Sequence, residues 1–299
     1  MKVKKIAVLT SGGDAPGMNS TIFGIFHACQ KLNIKLYGVI GGYDGLIDNR
    51  FVPIEFSTLD GRINRGGSMI KSGRSPRFMK PKYIKQSIAN LSDNKIDALI
   101  VIGGDGSIRG AMELQKAGIN LITLPGTIDN DMNFSYTIGF DTATNNIVNA
   151  VDNIMDSLSS FSYGAVIKIM GRHCPDLLNS TAKALHTEYL VTDAHINIDT
   201  LAKTIKKNRE NHLPPVVLVL EDVMDCNTLA QELTKKTGFQ WRGHILGYIQ
   251  RGGTPSAFDR RYGFAAGEMA VDCIAQHQTG FAIGMDGDHL VQKSFEDTI

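Results

Sequence analysis

The segment 125–131 carries two carboxylates, Asp129 and Asp131, together with the hydroxyl of Thr127, and it follows the apolar segment 120–124. Acids at this density are costly to bury unless a metal cation, a bound phosphate or a proton to be moved gives them a partner. The neighbouring segment 103–107, Gly-Gly-Asp-Gly-Ser, also follows an apolar run. Our hypothesis is that Asp129 is a general base that takes a proton from a sugar hydroxyl. A nucleotide held by segment 103–107 would donate its phosphoryl group to that oxygen.

Two glycine-rich segments, 11–17 and 103–107, lie between a predicted strand and a predicted helix. Glycines there let backbone N–H groups approach a phosphate, and the helix N-terminus adds partial positive charge. Tight strand–helix turns also use glycine for steric reasons alone. Asp105 favours the phosphate interpretation, because an acid between such glycines can hold Mg²⁺ against the phosphates. Its alternative role is to cap the helix.

The acids of segment 125–131 also have a structural alternative, since Asp129, Asn130 and Asp131 can form an Asx-rich turn. Glu221, at the end of an apolar strand, could accept hydrogen bonds from sugar hydroxyls, cap a helix or pair with a lysine.

Four arginines lie near glycines and could supply the cations that phosphoryl transfer needs at the moving group. Each could equally be a surface arginine. They are Arg74, Arg172, Arg242 and Arg251.

Short apolar runs alternate with amphipathic stretches along the chain. This alternation predicts an α/β fold with parallel sheets and helices on both faces. Ligands in such sheets bind beyond the carboxyl ends of the strands, where the glycine-rich segments lie. The spacing predicts a strand at 6–10, a glycine turn at 41–45, helices at 141–159, 200–209 and 256–276, a strand at 244–249 and a hairpin around 286–287.

The composition indicates a globular cytoplasmic enzyme of two domains or one large α/β unit. The 299 residues include 31 basic and 30 acidic side chains, so no nucleic-acid-binding face is expected. The four cysteines are scattered, as in proteins with reduced thiols. No apolar run approaches the ~20 residues that span a bilayer. We therefore expect no membrane partner.

Five motifs together resemble bacterial ATP-dependent 6-phosphofructokinase, in that family's order and over almost the whole chain. Gly-Gly-Asp-Gly alone also occurs in NAD kinases and lipid kinases, but the other motifs exclude those families. The motifs are segments 10–19, 103–107, 125–131, 170–172 and 246–253.

The resemblance implies two three-layer α/β domains with mainly parallel sheets and an active site in the cleft. Residues 1–138 plus 251–299 would bind ATP, and residues 139–250 would bind the sugar phosphate. It also implies a homotetramer whose substrate sites are shared between subunits. The reaction would be the glycolytic phosphorylation of fructose 6-phosphate at its 1-hydroxyl, which yields fructose 1,6-bisphosphate.

The resemblance also assigns roles to individual residues. The catalytic residues would be Asp129 as the base, with Thr127, Asp131 and Arg172. ATP would be bound by Gly13, Tyr43, Arg74, Ser75, Gly104, Asp105, Gly106 and Ser107, and Asp105 would meet Mg²⁺. Fructose 6-phosphate would contact Thr127, Asp129, Met170, Gly171, Arg172, Glu221 and Arg251, with Arg242 from the next subunit.

The phosphoryl donor is indicated by two glycines. Pyrophosphate-dependent relatives typically carry an aspartate at the position of Gly106 and a lysine at that of Gly126. Two glycines leave room for a nucleotide, so ATP is favoured.

The chain departs from the family at the sugar phosphate. An arginine from the adjacent subunit is expected at Tyr163, and a histidine at Tyr248. Losing a charge-assisted contact costs on the order of 1.5–3 kcal/mol, or roughly ten- to a hundredfold in affinity. Three explanations stay open: the affinity for fructose 6-phosphate is weak, a local group such as His173 compensates, or the substrate is a different sugar phosphate.

The expected effector site departs further. Arginines that bind ADP or phosphoenolpyruvate in bacterial members are replaced here by aromatic, imidazole and thioether groups, and an acid is replaced by alanine. We therefore expect insensitivity to those effectors. The positions are Phe23, His27, Phe56, Met155 and Ala194.

Two other functions stay open from the sequence. One is a kinase for a related ketose phosphate, such as tagatose 6-phosphate. The other is a non-catalytic regulatory paralogue that kept nucleotide binding. The resemblance also implies a further helix after Ile299, which in the family returns to the second domain.

Overall fold

The computed structural model describes residues 2–208 and 215–299 of the chain. These form two compact units, Met1–Thr142 with Arg251–Ile299, and Ala143–Gln250. The family resemblance implies divisions after residues 138 and 250. Which ligand each unit binds stays a prediction.

The described residues contain eleven strands and eleven α-helices. The strands are β1 (Lys5–Thr10), β2 (Lys35–Val39), β3 (Phe51–Pro53), β4 (Ala98–Gly103), β5 (Leu121–Pro125), β6 (Gly164–Ile169), β7 (Tyr189–Val191), β8 (Val216–Leu220), β9 (Trp241–Ile245), β10 (Phe281–Asp286) and β11 (His289–Lys293). The helices are α1 (Met18–Lys31), α2 (Gly42–Ile47), α3 (Phe56–Leu59), α4 (Pro81–Asp93), α5 (Asp105–Lys116), α6 (Phe140–Ser159), α7 (Asp176–Leu185), α8 (Ile198–Asn208), α9 (Cys226–Thr237), α10 (Ala257–Ala275) and α11 (Phe295–Thr298).

The sheet of the first unit has the order β11-β10-β5-β4-β1-β2-β3. Its five central strands are parallel, and β3 and β11 pair antiparallel at the two edges. All six residues of β4 are buried, as expected for a strand covered on both faces. The carboxyl ends of β1, β4 and β5 therefore meet at one edge. There Ser11 N donates to Ile102 O over 2.9 Å, and Gly126 N donates to Gly103 O over 3.1 Å.

Helices α1 and α10 pack closely through glycines. A Cβ added at Gly267 of α10 would lie 2.5 Å from Thr21 O and 2.8 Å from Ile25 N of α1. The absence of side chains there lets the two backbones touch. This contact fixes α10 against the helix that follows the first glycine-rich segment.

The sheet of the second unit has the order β7-β8-β6-β9, and all its pairs are parallel. Its core is formed by Val166, Val217, Val219, Leu229 and Trp241 with their neighbours. Strands β6 and β8 end together, since Ile169 pairs with Leu220. Segment 170–172 and Glu221 consequently share one edge of this sheet.

Most predicted elements are confirmed, including β1, α6, α10 and the β10–β11 hairpin. The predicted glycine turn at 41–45 is wrong, because α2 begins at Gly42 and buries Tyr43, Leu46 and Ile47. The predicted strand 244–249 is wrong after Ile245, where β9 ends. Gly247 has φ 56°, and a 3₁₀ turn occupies Gly247–Gln250. Residue 209 of the helix predicted at 200–209 lies outside the described residues. No helix in the described ranges has the length and apolarity to cross a membrane.

Candidate active site

The first glycine-rich segment, 11–17, lies beside segment 103–107 at the sheet edge. A Cβ added at Gly12 would lie 3.6 Å from Ser107 Oγ, and one added at Gly103 would lie 2.7 Å from Ser11 O. Segment 72–73 binds the same loop, since Ser72 Oγ donates to Gly12 O over 3.0 Å and Gly12 N donates to Gly73 O over 3.1 Å. Arg74 follows this segment and is exposed.

The helix α5 begins at Asp105, and its N-cap is Gly104 without a side-chain cap. The alternative of Asp105 as the N-cap is therefore wrong. Its carboxylate is 41% exposed, and Oδ2 lies 3.9 Å from Arg109 Nε. Gly106 is also exposed, with no atom within 4 Å of an added Cβ. The α5 N-terminus thus offers an accessible acid and open space.

These residues suit Mg²⁺, because an accessible carboxylate at a helix N-terminus can meet a hard cation that also binds phosphate oxygens. Across the described ranges no group of three or more His, Cys, Asp or Glu side chains could hold a metal ion. Within the part of the chain that the structure describes, Asp105 would therefore hold such an ion as a lone carboxylate rather than as part of a cluster of protein ligands.

The acidic turn, residues 126–131, is joined to segment 103–107. A Cβ added at Gly104 would lie 3.5 Å from Thr127 Cβ. Asp129 N donates to Thr127 Oγ1 over 3.2 Å. Asp129 is half-buried and Asp131 is exposed, so both carboxylates are within reach of a ligand.

The acidic turn is held from outside by segment 135–138. Thr137 Oγ1 donates to Thr127 O over 2.6 Å. Asn130 has φ 54°, and its Oδ1 accepts from Thr137 N over 2.9 Å. Ile138 N donates to Pro125 O over 2.8 Å. The side chain of Asn130, which is 8% exposed, thus fixes the turn between the two acids.

Tyr43 is only 3% exposed, and its hydroxyl donates to Ser107 O over 2.7 Å. Its ring stacks on Phe78 at 4.1 Å, and burial raises the pKa of the phenol above its usual value. The Tyr43 hydroxyl therefore stabilises the first turn of α5. Its contact with ATP stays a prediction. Ser75 Oγ donates to Asp44 Oδ1 over 2.7 Å and caps the 3₁₀ turn Pro76–Met79.

In the second unit, four predicted substrate residues meet at the carboxyl edge of β6 and β8. Gly171 and Arg172 have φ values of 129° and 52°. Arg172 N donates to Glu221 Oε1 over 2.8 Å, and Glu221 N donates to Ile169 O over 2.7 Å. Met170 N donates to Gln250 Oε1 over 2.9 Å. Gln250 was not predicted as a site residue, and its only signal in the sequence is a polar side chain between Tyr248 and Arg251.

Arg251 belongs to the first unit and is not among those four residues. Its Nη2 donates to Asp14 O over 2.8 Å, and its Nε lies 3.2 Å from Asp14 Oδ1. The guanidinium lies against Gly13. Asp14 was likewise missed, although it stands inside the first glycine-rich segment.

Tyr163 and Arg242 lie at the amino edge of the second sheet. Tyr163 precedes β6, and the guanidinium carbon of Arg242 in β9 is 5.4 Å from the centre of its ring. The six residues of β6 separate them from Arg172 by about 20 Å. Tyr248 lies in the 3₁₀ turn and is 79% exposed.

Glycine-rich segments and an accessible acid at the carboxyl ends of parallel strands define an α/β protein that binds phosphate groups. The model of the phosphofructokinase family matches residues 5–274. The chain belongs to this family.

Two relatives are similar over almost their whole length. The ATP-dependent 6-phosphofructokinase of Macrococcus caseolyticus is 41% identical, over 99% of this chain and 93% of the relative. That of Vibrio cholerae is 40% identical, over 99% and 94%.

Solved structures share the fold. Phosphofructokinase of Pichia pastoris in the T-state matches with a TM-score of 0.91 and 29% identity, over 100% of this chain. This chain spans only 35% of the Pichia chain. A pyrophosphate-dependent phosphofructokinase from Marinobacter aquaeolei has a TM-score of 0.85 at 18% identity, which shows the fold alone.

Proposed function

We propose that this protein transfers the γ-phosphoryl group of ATP to the 1-hydroxyl of fructose 6-phosphate and yields fructose 1,6-bisphosphate, as a cytoplasmic reaction of glycolysis. The observation that supports the proposal is the proximity of the acidic turn to segment 103–107: Gly126 N donates to Gly103 O over 3.1 Å, and a Cβ added at Gly104 would lie 3.5 Å from Thr127 Cβ. Asp129 is two residues from Thr127, and segment 103–107 would hold the donor. The two relatives reported above are named for this activity.

ATP is bound, in this proposal, by the backbone of segment 104–107, by Gly13 and by the cation of Arg74. The N–H groups at the start of α5 favour phosphate oxygens. Mg²⁺, when bound, neutralises phosphate charge, and Asp105 would hold it. The preference for ATP over pyrophosphate is supported by Gly106, where open space remains for a nucleotide. At Gly126 an added Cβ would lie 2.8 Å from Ile102 Cγ2, so a lysine does not fit without rearrangement.

The acceptor, fructose 6-phosphate, is bound and activated in this proposal by the acidic turn and by residues of the second unit. Asp129 accepts the proton of the 1-hydroxyl as the oxygen attacks, with Thr127 and Asp131 beside it. Arg172 stabilises the charge that develops on the moving group. Met170, Gly171 and Glu221 orient the sugar, and Gln250 fixes the backbone of Met170. To bind the sugar phosphate, the Arg251 guanidinium would have to release Asp14.

The test is a steady-state assay with ATP–Mg²⁺ and a panel of sugar phosphates, using the wild type, Asp129→Ser and the surface control Asp288→Ser. We expect turnover with fructose 6-phosphate. Asp129→Ser should lower kcat by about 10²–10⁴-fold, the usual contribution of a general base, with little change in ATP binding. The control should match the wild type, because Asp288 is exposed.

Other outcomes separate the alternatives. A preference for tagatose 6-phosphate would identify a kinase for that ketose. Near wild-type turnover by Asp129→Ser would remove Asp129 from its role. ATP binding without turnover on any sugar phosphate would favour the non-catalytic paralogue, whose support is the missing charge at Tyr163 and Tyr248.

A further inference from the structure

Asp259 is a fully buried acid in the first turn of α10 that the proposed reaction does not use. Its Oδ1 accepts from Gly139 N over 2.8 Å. Its Oδ2 accepts from Thr142 N over 2.8 Å and from the Thr142 hydroxyl. These donors lie at the start of α6, where a helix leaves N–H groups without partners inside the helix. The carboxylate of α10 therefore fixes the first turn of α6.

Thr142 and Ser256 extend this contact. Ser256 N donates to Thr142 Oγ1 over 2.9 Å, and Ser256 Oγ accepts from Asp259 N over 3.2 Å. The chain leaves the first unit after Thr142 and re-enters it at Arg251. The link Asp259–Thr142–Ser256 thus joins the outgoing and returning stretches of chain inside the first unit.

The segment that Asp259 fixes also holds the acidic turn. Gly139 directly follows Thr137 and Ile138, which bind Thr127 and Asn130 of the acidic turn and Pro125 directly before it. A displacement of Gly139 would therefore be transmitted to the turn by covalent bonds and by three hydrogen bonds.

The first glycine-rich segment packs on the same point. A Cβ added at Gly139 would lie 2.8 Å from Ala15 Cβ, and one added at Gly17 would lie 3.4 Å from Asp259 Cβ. Asp259 consequently lies where the acidic turn, the first glycine-rich segment and α6 meet.

The chemistry of this position calls for a carboxylate. Three donors converge on the two carboxylate oxygens. An asparagine would replace one oxygen by an N–H₂ group, which would face at least one of these donors. Burial raises the pKa of Asp259 to about 6, against the hydrogen bonds from Thr142 and Gly139, which lower it. Burial thus opposes the charge of this acid, while the hydrogen bonds to its carboxylate all come from Gly139 and Thr142, which follow the acidic turn in the chain.

We propose that Asp259 is a positioning residue, whose two carboxylate oxygens hold Gly139 and Thr142 and thereby set the geometry of the acidic turn that carries Asp129. This inference rests on the proposed function for its catalytic consequence.

The experiment compares Asp259→Asn with Asp272→Asn, an exposed acid on the same helix. We expect Asp259→Asn to lower kcat by about 10–100-fold, because small misplacements of a catalytic group have effects of this size. The KM for ATP should change by less than about threefold, since the Asp259 carboxylate bonds to Gly139 and Thr142 and the residue packs on the first glycine-rich segment at Gly17, four residues from Gly13. Asp272→Asn should behave as the wild type. A kcat within twofold of the wild type in folded Asp259→Asn would overturn the proposal.

A second pair of variants covers the case in which Asp259→Asn does not fold. Thr142→Val removes the hydroxyl that donates to Asp259 and accepts from Ser256, whereas Thr142→Ser keeps it. We expect a loss of kcat in the valine variant and near wild-type kcat in the serine variant. Equal activity of the two would contradict the role of this link.

Amide hydrogen exchange provides a readout that does not need activity. Peptides covering 127–139 should exchange faster in Asp259→Asn or Thr142→Val than in Asp272→Asn, and unchanged exchange would contradict the inference. An inactive wild type would instead refute the proposed function, so the two failures are distinguishable.

Discussion

Tyr163 presents an aromatic ring where the family resemblance leads us to expect an arginine. The guanidinium of Arg242 lies over this ring, 5.4 Å from its centre. A cation–π contact at an exposed site is worth about 0.5–1 kcal/mol. The ring therefore helps to hold Arg242 in place but adds no charge for a sugar phosphate.

Tyr163→Arg should restore a cation for the 6-phosphate. We expect the KM for fructose 6-phosphate to fall by about tenfold, the lower bound for a charge-assisted contact, with kcat unchanged. Tyr163→Phe keeps the ring beneath Arg242 and should leave KM near the wild-type value. Steady-state kinetics with saturating ATP measures both. An arginine variant with unaltered KM would show that Tyr163 does not face the sugar phosphate.

The positions of single residues could be predicted from the sequence where they depend on local chain geometry. Asp105 and Asp129 each follow a buried strand, so their place at the sheet edge follows from parallel pairing. The contacts of Tyr43, Gln250 and Arg251 join residues 64, 80 and 237 positions apart. Such contacts depend on how distant elements pack, which periodicity and motifs do not specify.

At the scale of elements, the outer face of α1 differs most from the family expectation. Phe23 and His27 pack on Phe264 of α10, with ring centroids 5.5 and 5.4 Å apart. Glu268 of α10 lies 2.8 Å from His27 Nδ1 and 3.1 Å from Lys31 Nζ. Partial burial raises the pKa of Glu268, but the hydrogen bonds from His27 and Lys31 outweigh it and leave the pKa below its usual value. The Glu268 carboxylate thus already pairs with the Lys31 ammonium and the His27 imidazole of this face.

An anionic effector should therefore gain no favourable binding free energy at this face of α1. We expect ADP and phosphoenolpyruvate at millimolar levels to leave the half-saturating concentration of fructose 6-phosphate unchanged. Saturating ATP is needed in the assay, so that ADP does not compete at the catalytic site. A shift of the saturation curve by phosphoenolpyruvate, which cannot compete as a nucleotide, would contradict this expectation most directly.

The elements themselves were predictable where the hydrophobic period was long, as in α6, and less so where glycines interrupt the sequence. Around Gly42 the sequence favours a turn, yet burial of Leu46 and Ile47 stabilises a short helix. Around Gly247 an apolar run favours a strand, yet a left-handed φ ends β9. Tertiary packing decides the first case and backbone conformation the second. Neither effect produces a hydrophobic period that could be recognised in the sequence.

At the scale of the whole molecule, the sheet of the second unit presents predicted substrate residues at two opposite edges. Arg172 and Glu221 are joined at the carboxyl edge, and Tyr163 and Arg242 at the amino edge. A separation of about 20 Å along β6 exceeds the reach of one small sugar phosphate. If both edges serve substrate, they serve it in different sites, each completed by another copy of the chain. This geometry fits substrate sites shared between subunits, as the family resemblance implies.

Shared sites predict complementation between inactive subunits. Arg172→Ala and Arg242→Ala should each raise the KM for fructose 6-phosphate and lower turnover. In hybrids formed by refolding the two variants together, a site has both arginines when its own chain keeps Arg172 and the neighbour keeps Arg242. Random mixing of equal amounts gives about a quarter of such sites in a symmetric oligomer. Activity should therefore exceed that of either variant alone.

The control for this experiment mixes Arg172→Ala with Glu221→Ala. These two residues lie on the same edge of the same sheet, where Arg172 N donates to Glu221 Oε1. Every site in those hybrids lacks one of the two side chains, so mixing should restore nothing. Size-exclusion chromatography of each variant verifies that assembly is unchanged. Equal activity in the two mixtures would show that Arg242 acts within its own chain or not at all, whereas recovery in the first mixture alone requires the neighbouring subunit.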